Sequence, residues 1–168
     1  MIVKNIEEAL NEQINAEFWS AYFYLSMAMQ CADKGLPGAE NWFRVQFKEE
    51  QEHAEKFINY LLSRGGRVVL QPIAKVKNSW NSLLEMFEDT LKHEQHVTDL
   101  INKIYAMALD EKDFATQSML NWFVDEQVEE EEEARDIIDA LKLIGDGYGL
   151  YQYDRELATR VFVPLATK

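Results

Sequence analysis

The chain has 168 residues, enough to bury one large core and of ordinary size for one domain spanning 1–168. Its formal net charge of −13 argues against a nucleic-acid partner, because 17 Lys and Arg cannot neutralise phosphates in bulk beside 30 Asp and Glu. The lone Cys31 excludes an intrachain disulfide framework or a four-cysteine metal ribbon, no run is apolar enough to span a membrane, and residues 1–8 lack the core of a signal peptide, so a cytoplasmic location is expected.

Gly and Pro then divide the chain into four long helices and a short fifth. The first is expected from about Asn5 to Asp33, opened by an Asn5/Glu8 capping pair and closed by Gly35-Leu36-Pro37-Gly38. A second runs from about Ala39 to Arg64 and stops at Gly65-Gly66. Residues 66–78 carry Val68-Val69-Leu70 and Pro72, with a helix cap at Asn78 or Ser79. The third helix runs from about Trp80 to Leu109. The fourth runs from about Asp113 to Ile144 and ends in Gly145, Gly147 and Gly149. Residues 153–162 read as a terminal helix halted by Pro164.

Connection lengths give the topology. Short loops near residues 36 and 111 make helices one and two, and three and four, antiparallel neighbours. Thirteen residues in the 66–78 segment, at about 3.3 Å each, reach about 43 Å, and a helix of about 28 residues is roughly 42 Å long. The segment therefore traverses the bundle and sets helices two and three parallel.

An arithmetical echo runs through these helices. Glu17 is followed by Glu50 and His53; adding 77 to each position gives Glu94, Gln127 and Glu130. Each of these residues interrupts an apolar stripe near mid-helix: Ile14-Glu17-Ala21-Tyr24, Gln46-Glu50-His53-Phe57, Leu91-Glu94-Ile101 and Phe123-Gln127-Glu130-Ala134. Side-by-side packing brings all of them to one level, whichever way each helix runs. A Glu from each of two helices plus an i, i+3 pair from each of two others describes a dinuclear metal site inside a four-helix bundle.

Four carboxylates facing a core need compensation, since an unpaired buried charge costs several kcal/mol, and the stripes hold no Lys or Arg at those levels. Two divalent cations supply four positive charges. An oxygen-rich set with one imidazole suits iron or manganese, with zinc as competitor. Glu17 and His53 are read as ligands of one ion, Glu94 and Glu130 of the other, with Glu50 as the bridge. Gln127 is expected to hydrogen-bond the ligands. A polar core network without metal is the bland alternative.

These motifs resemble a known family over essentially the whole length. Glu17 with Tyr24, the run Glu49-Glu50-Gln51-Glu52-His53, Glu94, and Glu126-Gln127 with Glu129-Glu130 are similar to the prokaryotic non-haem ferritins. The resemblance implies an all-α ferritin-like four-helix bundle with one long crossover and a short fifth helix. It also implies Fe(II) oxidation by dioxygen or hydrogen peroxide, and ferric mineral held inside a shell of 24 subunits. On the same grounds Glu49, Glu126 and Glu129 join Glu130 in a third iron site; without them, Glu129 to Glu133 is a solvated acidic face. Haem is not expected, because Gln51 stands where bacterioferritins carry the haem-ligating Met.

Tyr24, two turns from Glu17 on the same stripe, is the candidate redox or hydrogen-bonding residue, with Trp122 as a second oxidisable group. His93 and His96 are expected at the surface, and Cys31 as a small buried hydrophobe. Tyr148, Tyr151 and Tyr153 suggest contacts between subunits. Two alternatives share the metal site: a di-iron peroxidase that stores nothing, and a metal buffer without turnover.

Overall fold

The computed structural model describes residues 2–165, which form five α-helices and no strand. Helix α1 (Lys4–Asp33) starts one residue earlier than the sequence suggests. Val3 is its N-cap with extended backbone and no side-chain cap, so the expected Asn5/Glu8 pair does not form. Asn5 lies inside the first turn and donates instead to Glu111 Oε1 at 2.8 Å, while Glu8 pairs with Lys4.

The α1 exit is closed by Gly35 at φ 70°, whose N–H reaches Ala32 O while the Leu36 N–H reaches Cys31 O. That pair of bonds is a Schellman motif, and Gly is the residue that adopts the left-handed turn without a Cβ penalty. Helix α2 (Pro37–Ser63) begins directly at Pro37, whose fixed φ suits a first turn, and it ends in a second Schellman turn at Gly65 and Gly66.

Helix α3 (Leu83–Asp110) begins later than expected. Ser82, rather than Asn78 or Ser79, accepts from the Glu85 N–H at 3.1 Å. Trp80 therefore precedes the helix. It is buried all the same, with its indole N–H on Asp89 Oδ2 at 2.8 Å. Helix α4 (Phe114–Ile144) is capped by Asp113, which also receives two hydrogen bonds from the Arg64 guanidinium at the end of α2.

Helix α5 (Tyr148–Leu157) is displaced five residues toward the N-terminus from its expected span, leaving 158–162 outside it. Past Leu157 the carbonyls of Ala158 and Arg160 accept from Asn41 Nδ2 on α2. Asp154 is buried against the start of α2, where the N–H groups of Gly38 and Ala39 donate to Oδ2 and Oδ1 at 3.0 and 2.8 Å. Tyr148 and Tyr151 are exposed as expected, whereas Tyr153 packs partly against the core.

Helix α1 pairs with α2, α3 pairs with α4, α1 also packs on α3, and α5 crosses α2 and α4. The crossover runs alongside α1 in the same direction. Glu7, Asn11, Asn15, Ser26, Gln30 and Lys34, all on one polar face, bond to its backbone from Arg67 to Asn81. Two apolar clusters fill the bundle. One holds Tyr24, Phe43, Phe87, Ile137 and Leu141, the other Leu10, Ile14, Phe57, Ile101 and Phe123. The polar residues of the four stripes lie between them. No helix of the described residues is long and apolar enough to cross a membrane.

Candidate metal centre

Six side chains from four helices converge in the layer between the two apolar clusters: Glu17 from α1, Glu50 and His53 from α2, Glu94 from α3, and Gln127 and Glu130 from α4. All are buried. The i, i+3 step puts Glu50 and His53 on one face of α2, and Gln127 and Glu130 on one face of α4.

His53 stands at the middle. Its Nδ1 is 3.4 Å from Glu50 Oε2 and 4.0 Å from Glu17 Oε2, and its Nε2 is 3.9 Å from Glu126 Oε1. Donor atoms of Glu17, Glu50 and His53 all lie within 4.8 Å of one another, and so do those of His53, Glu126 and Glu130. Glu94 closes the opposite side. The Tyr24 hydroxyl donates a short hydrogen bond to its Oε1, and Gln127 Nε2 donates to its Oε2 and to its carbonyl, both at 3.1 Å.

Two amides that sequence reasoning did not single out complete the layer. Gln13 Nε2 donates to Glu17 Oε1 at 2.7 Å, and Gln46 Nε2 donates to Glu130 Oε2 at 2.8 Å and Glu50 Oε1 at 3.2 Å. Both lie one helical turn before the carboxylate they serve, a spacing readable in the sequence. Neutral donors do not cancel charge. Glu17 Oε2 and Gln46 Oε1 have no hydrogen-bond partner.

The electrostatics follow from that arrangement. Burial pushes the Glu17, Glu50 and Glu130 carboxyls well above the usual carboxylate range, and repulsion adds to it, from Glu50 at Glu17 and from Glu94 at Glu50 and Glu130. Burial, then Glu94, likewise pushes the Tyr24 hydroxyl up. The carboxylates thus favour whatever places positive charge among them. Their donor set, oxygens with one imidazole nitrogen, could hold a first-row divalent cation.

The candidates around the layer fall into distinct environments. Glu126 faces His53, Glu129 is exposed, and Glu49 is half-buried and bonded to Arg160. Arg160 adds a cation that the helix stripes themselves do not carry. It arrives from beyond α5, outside every stripe, and its charge also pulls the Glu130 carboxyl down in partial opposition to burial. Trp122 packs its ring 5.5 Å from that of His53, with Lys56 Nζ 3.7 Å from the indole centroid.

His93 is half-buried rather than fully at the surface. Its ring lies among those of Trp19, Phe23 and Tyr24, and one ring nitrogen is 2.7 Å from Ser20 Oγ. The packing of α1 on α3 covers part of it, and that partial burial pulls its pKa down. His96 is exposed as expected. Cys31 is fully buried against Met86 Sδ at 3.6 Å, and burial pushes its thiol up to about 12.

Residues 7–144 match the ferritin family model, described as a ferritin-like domain. The chain belongs to the ferritin family. It is 42% identical over 163 residues to a bacterial non-heme ferritin of Staphylococcus aureus, covering 96% of this chain and 98% of that protein. A bacterial non-heme ferritin of Staphylococcus saprophyticus is 44% identical over the same coverage. Among solved structures, an open-pore ferritin from the archaeon Archaeoglobus fulgidus shares 47% identity with a TM-score of 0.95, over 96% of this chain and all of that one. A humanized archaeal ferritin shares 48% with a TM-score of 0.96, over 98% of this chain and all of that one. This ferritin chain therefore has the family's fold, a four-helix bundle with one long crossover and a short fifth helix.

Proposed function

We propose that the chain is an iron-storage ferritin subunit that oxidises Fe(II) at a dinuclear site within its own bundle. The observation that carries this reading is the layer of four buried carboxylates and one imidazole, in which Glu17 Oε2 has no donor and burial disfavours ionisation. Two Fe(II) ions entering as substrate bring the missing positive charge. In this reading Glu17 and His53, through Nδ1, hold one ion; Glu94 and Glu130 hold the other; Glu50 bridges. Two-metal sites of this kind space their ions about 3.5–4 Å apart.

The chemistry then balances with either oxidant. Two Fe(II) lose one electron each; with two protons, dioxygen becomes hydrogen peroxide, or hydrogen peroxide becomes two waters. Hard anionic oxygens favour Fe(III) over Fe(II), so the ligand set drives the reaction forward. Gln127 acts by fixing Glu94 through its amide N–H and is not itself a ligand. Tyr24, hydrogen-bonded to Glu94, is the residue placed to deliver a proton or electron at that ion.

Glu49, Glu126 and Glu129, with Glu130, form a third iron position on the way out, and no haem takes part. Ferric iron collects as oxyhydroxide mineral inside a homo-oligomeric shell of 24 subunits in the cytoplasm, without nucleic-acid or membrane partners. Family membership supports storage. The exposed Tyr148, Tyr151 and Leu143 support contacts between subunits.

Aerobic addition of Fe(II) to the metal-free protein, followed by absorbance and by sizing, tests this. Fast oxidation saturating near two irons per chain, then mineral inside a particle of several hundred kDa, is the expected result. Unchanged initial oxidation in a Glu17→Ala, Glu130→Ala double variant would sink the site assignment. Two-iron oxidation in a small oligomer that gathers no mineral would favour a di-iron peroxidase instead.

A further inference from the structure

Beyond α5 the chain is tied down along α2, running in the same direction. Asn41 Nδ2 donates to the carbonyls of Ala158 and Arg160 at 3.4 and 3.0 Å. Lys48 Nζ lies 5.6 Å from the centre of the Phe162 ring, and the Leu165 N–H donates to Glu52 Oε2 at 2.5 Å. Residues 41, 48 and 52 of the helix thus set the register of residues 158–165 beside it.

That register delivers one side chain to the edge of the metal layer. The Arg160 guanidinium lies 4.2 Å from the centre of the Trp42 ring and donates to the Trp42 carbonyl at 3.4 Å. From there its NH2 group reaches Glu49 Oε2 at 2.8 Å and Glu133 Oε2 at 3.3 Å. Both Arg160 and Glu49 side chains are largely covered, at 15% and 12% exposure, so water screens the pair only weakly. Arginine keeps its charge at every working pH. Glu49 therefore already has a fixed cation, whereas Glu17, deeper in the bundle, is served by the neutral Gln13 amide and the His53 ring. A divalent cation is welcomed at Glu17 and must displace an occupant at Glu49.

We propose that Arg160 is a built-in competitor for cations at Glu49. Its guanidinium holds that carboxylate while the third position is empty and releases it when a third cation binds, which keeps that position weaker than the two within the bundle. The Glu133 carboxylate, half-exposed and already within 3.3 Å, is the partner to which the displaced guanidinium transfers. The proposal rests on reading Glu49, Glu126 and Glu129 as a third position. Arg160 is a positioning residue in it, not a ligand.

The test is calorimetric titration of the metal-free, full-length protein with Zn(II), which binds carboxylate–imidazole sites without changing oxidation state. Two tight equivalents and one weaker one per chain are expected. Removing one competing ion pair in Arg160→Gln tightens the third equivalent by about threefold to tenfold, a larger change than at the first two. Arg160→Lys, which keeps the charge but loses the planar group stacked on Trp42, tightens it by less than Arg160→Gln does. Glu49→Gln loses the third equivalent and retains the first two.

An unchanged third equivalent in Arg160→Gln overturns the proposal. An equal gain in Arg160→Lys also overturns it, because the cause would then be loss of docking and not of charge. Three equivalents in Glu49→Gln remove the third position from Glu49 and the proposal with it, leaving the dinuclear reading intact. Absence of two tight equivalents in the parent protein removes the dinuclear reading itself.

Discussion

Replacing Glu17 by Gln should stabilise the metal-free protein while weakening its hold on metal. Glu17 is 1% exposed, one of its oxygens accepts from Gln13, and the other has no donor. At neutral pH the carboxyl either stays ionised in the interior or takes up a proton, and each pH unit between its pKa and the solution costs about 1.36 kcal/mol. Glutamine keeps the acceptor for Gln13 and offers an N–H toward Glu50 without charge. The gain, reduced because protonating one carboxyl also relieves its neighbours, is about 1–3 kcal/mol. For a chain of this size that raises the midpoint of thermal unfolding by roughly 2–12 °C.

The assay is thermal unfolding followed by circular dichroism, with chelator and at fixed protein concentration, since assembly shifts the midpoint. Saturating Zn(II) at a hundred times the dissociation constant adds about 2.7 kcal/mol per occupied site, so the variant's advantage shrinks or reverses when metal is present. The pH dependence carries the same signature. Because the folded pKa of Glu17 is raised, its contribution to stability is fully present below the usual value of 4.5 and is lost as pH rises through the folded value. Without metal, the parent protein therefore loses stability relative to the variant as pH rises above 4.5. A variant less stable than its parent in chelator would refute the reasoning, since it would mean that the carboxylate is already compensated within the protein.

Three further outcomes can be measured independently. Tyr24→Phe removes the hydrogen bond to Glu94 and keeps the ring, so the two tight Zn(II) equivalents remain while initial Fe(II) oxidation in stopped flow slows by about tenfold, the scale of a hydrogen bond to a charged group. Gly38→Ala places a Cβ 1.5 Å from the Asp154 carbonyl oxygen, so α5 must move; a loss of about 2 kcal/mol and faster proteolysis after Ile144 are expected, and unaltered proteolysis would show that α5 is not docked there. Asp113→Ala removes the cap of α4 and the Arg64 bridge together, costing about 1–3 kcal/mol in denaturant titration. Burial raises the Asp113 pKa, but hydrogen bonds from Arg64 and Thr116 outweigh it, leaving the group below its usual value of 3.8. Its contribution is thus present above that value and vanishes as pH falls through the folded one, where parent and variant converge.

The sequence disclosed those parts of the molecule that repeat with helical period. Stripe positions such as Leu10, Phe57 and Phe123 are core, and the mid-stripe polar residues share one level, because both follow from i, i+3 and i, i+4 geometry alone. Features that depend on contacts remote in sequence were not legible. Trp80 stands before α3 with its indole held by Asp89, α5 is docked by Asp154 on the first turn of α2, and the chain past Leu157 is held by Asn41. His93 lies off the stripe of α3 and is half-buried because α1 presents Trp19, Phe23 and Tyr24 to it. Arg160 has no periodic context at all, and its approach to Glu49 exists only once residues 158–165 lie on α2. Gln13 and Gln46 differ from these. Each was available as an amide four residues before a buried Glu.

The crossover has a consequence for how the chain tolerates change. Long surface connections usually absorb insertions at little thermodynamic expense. This one is ruled off against α1 like a scale: Glu7 and Lys34 mark its ends, Asn11, Asn15, Ser26 and Gln30 mark intermediate points, and about 40 Å of helix lies beneath. An added residue would put every later mark out of step, and a deleted one would leave the span short. Peptide grafts or affinity tags placed between Arg67 and Asn81 would therefore be read by the fold as errors of length.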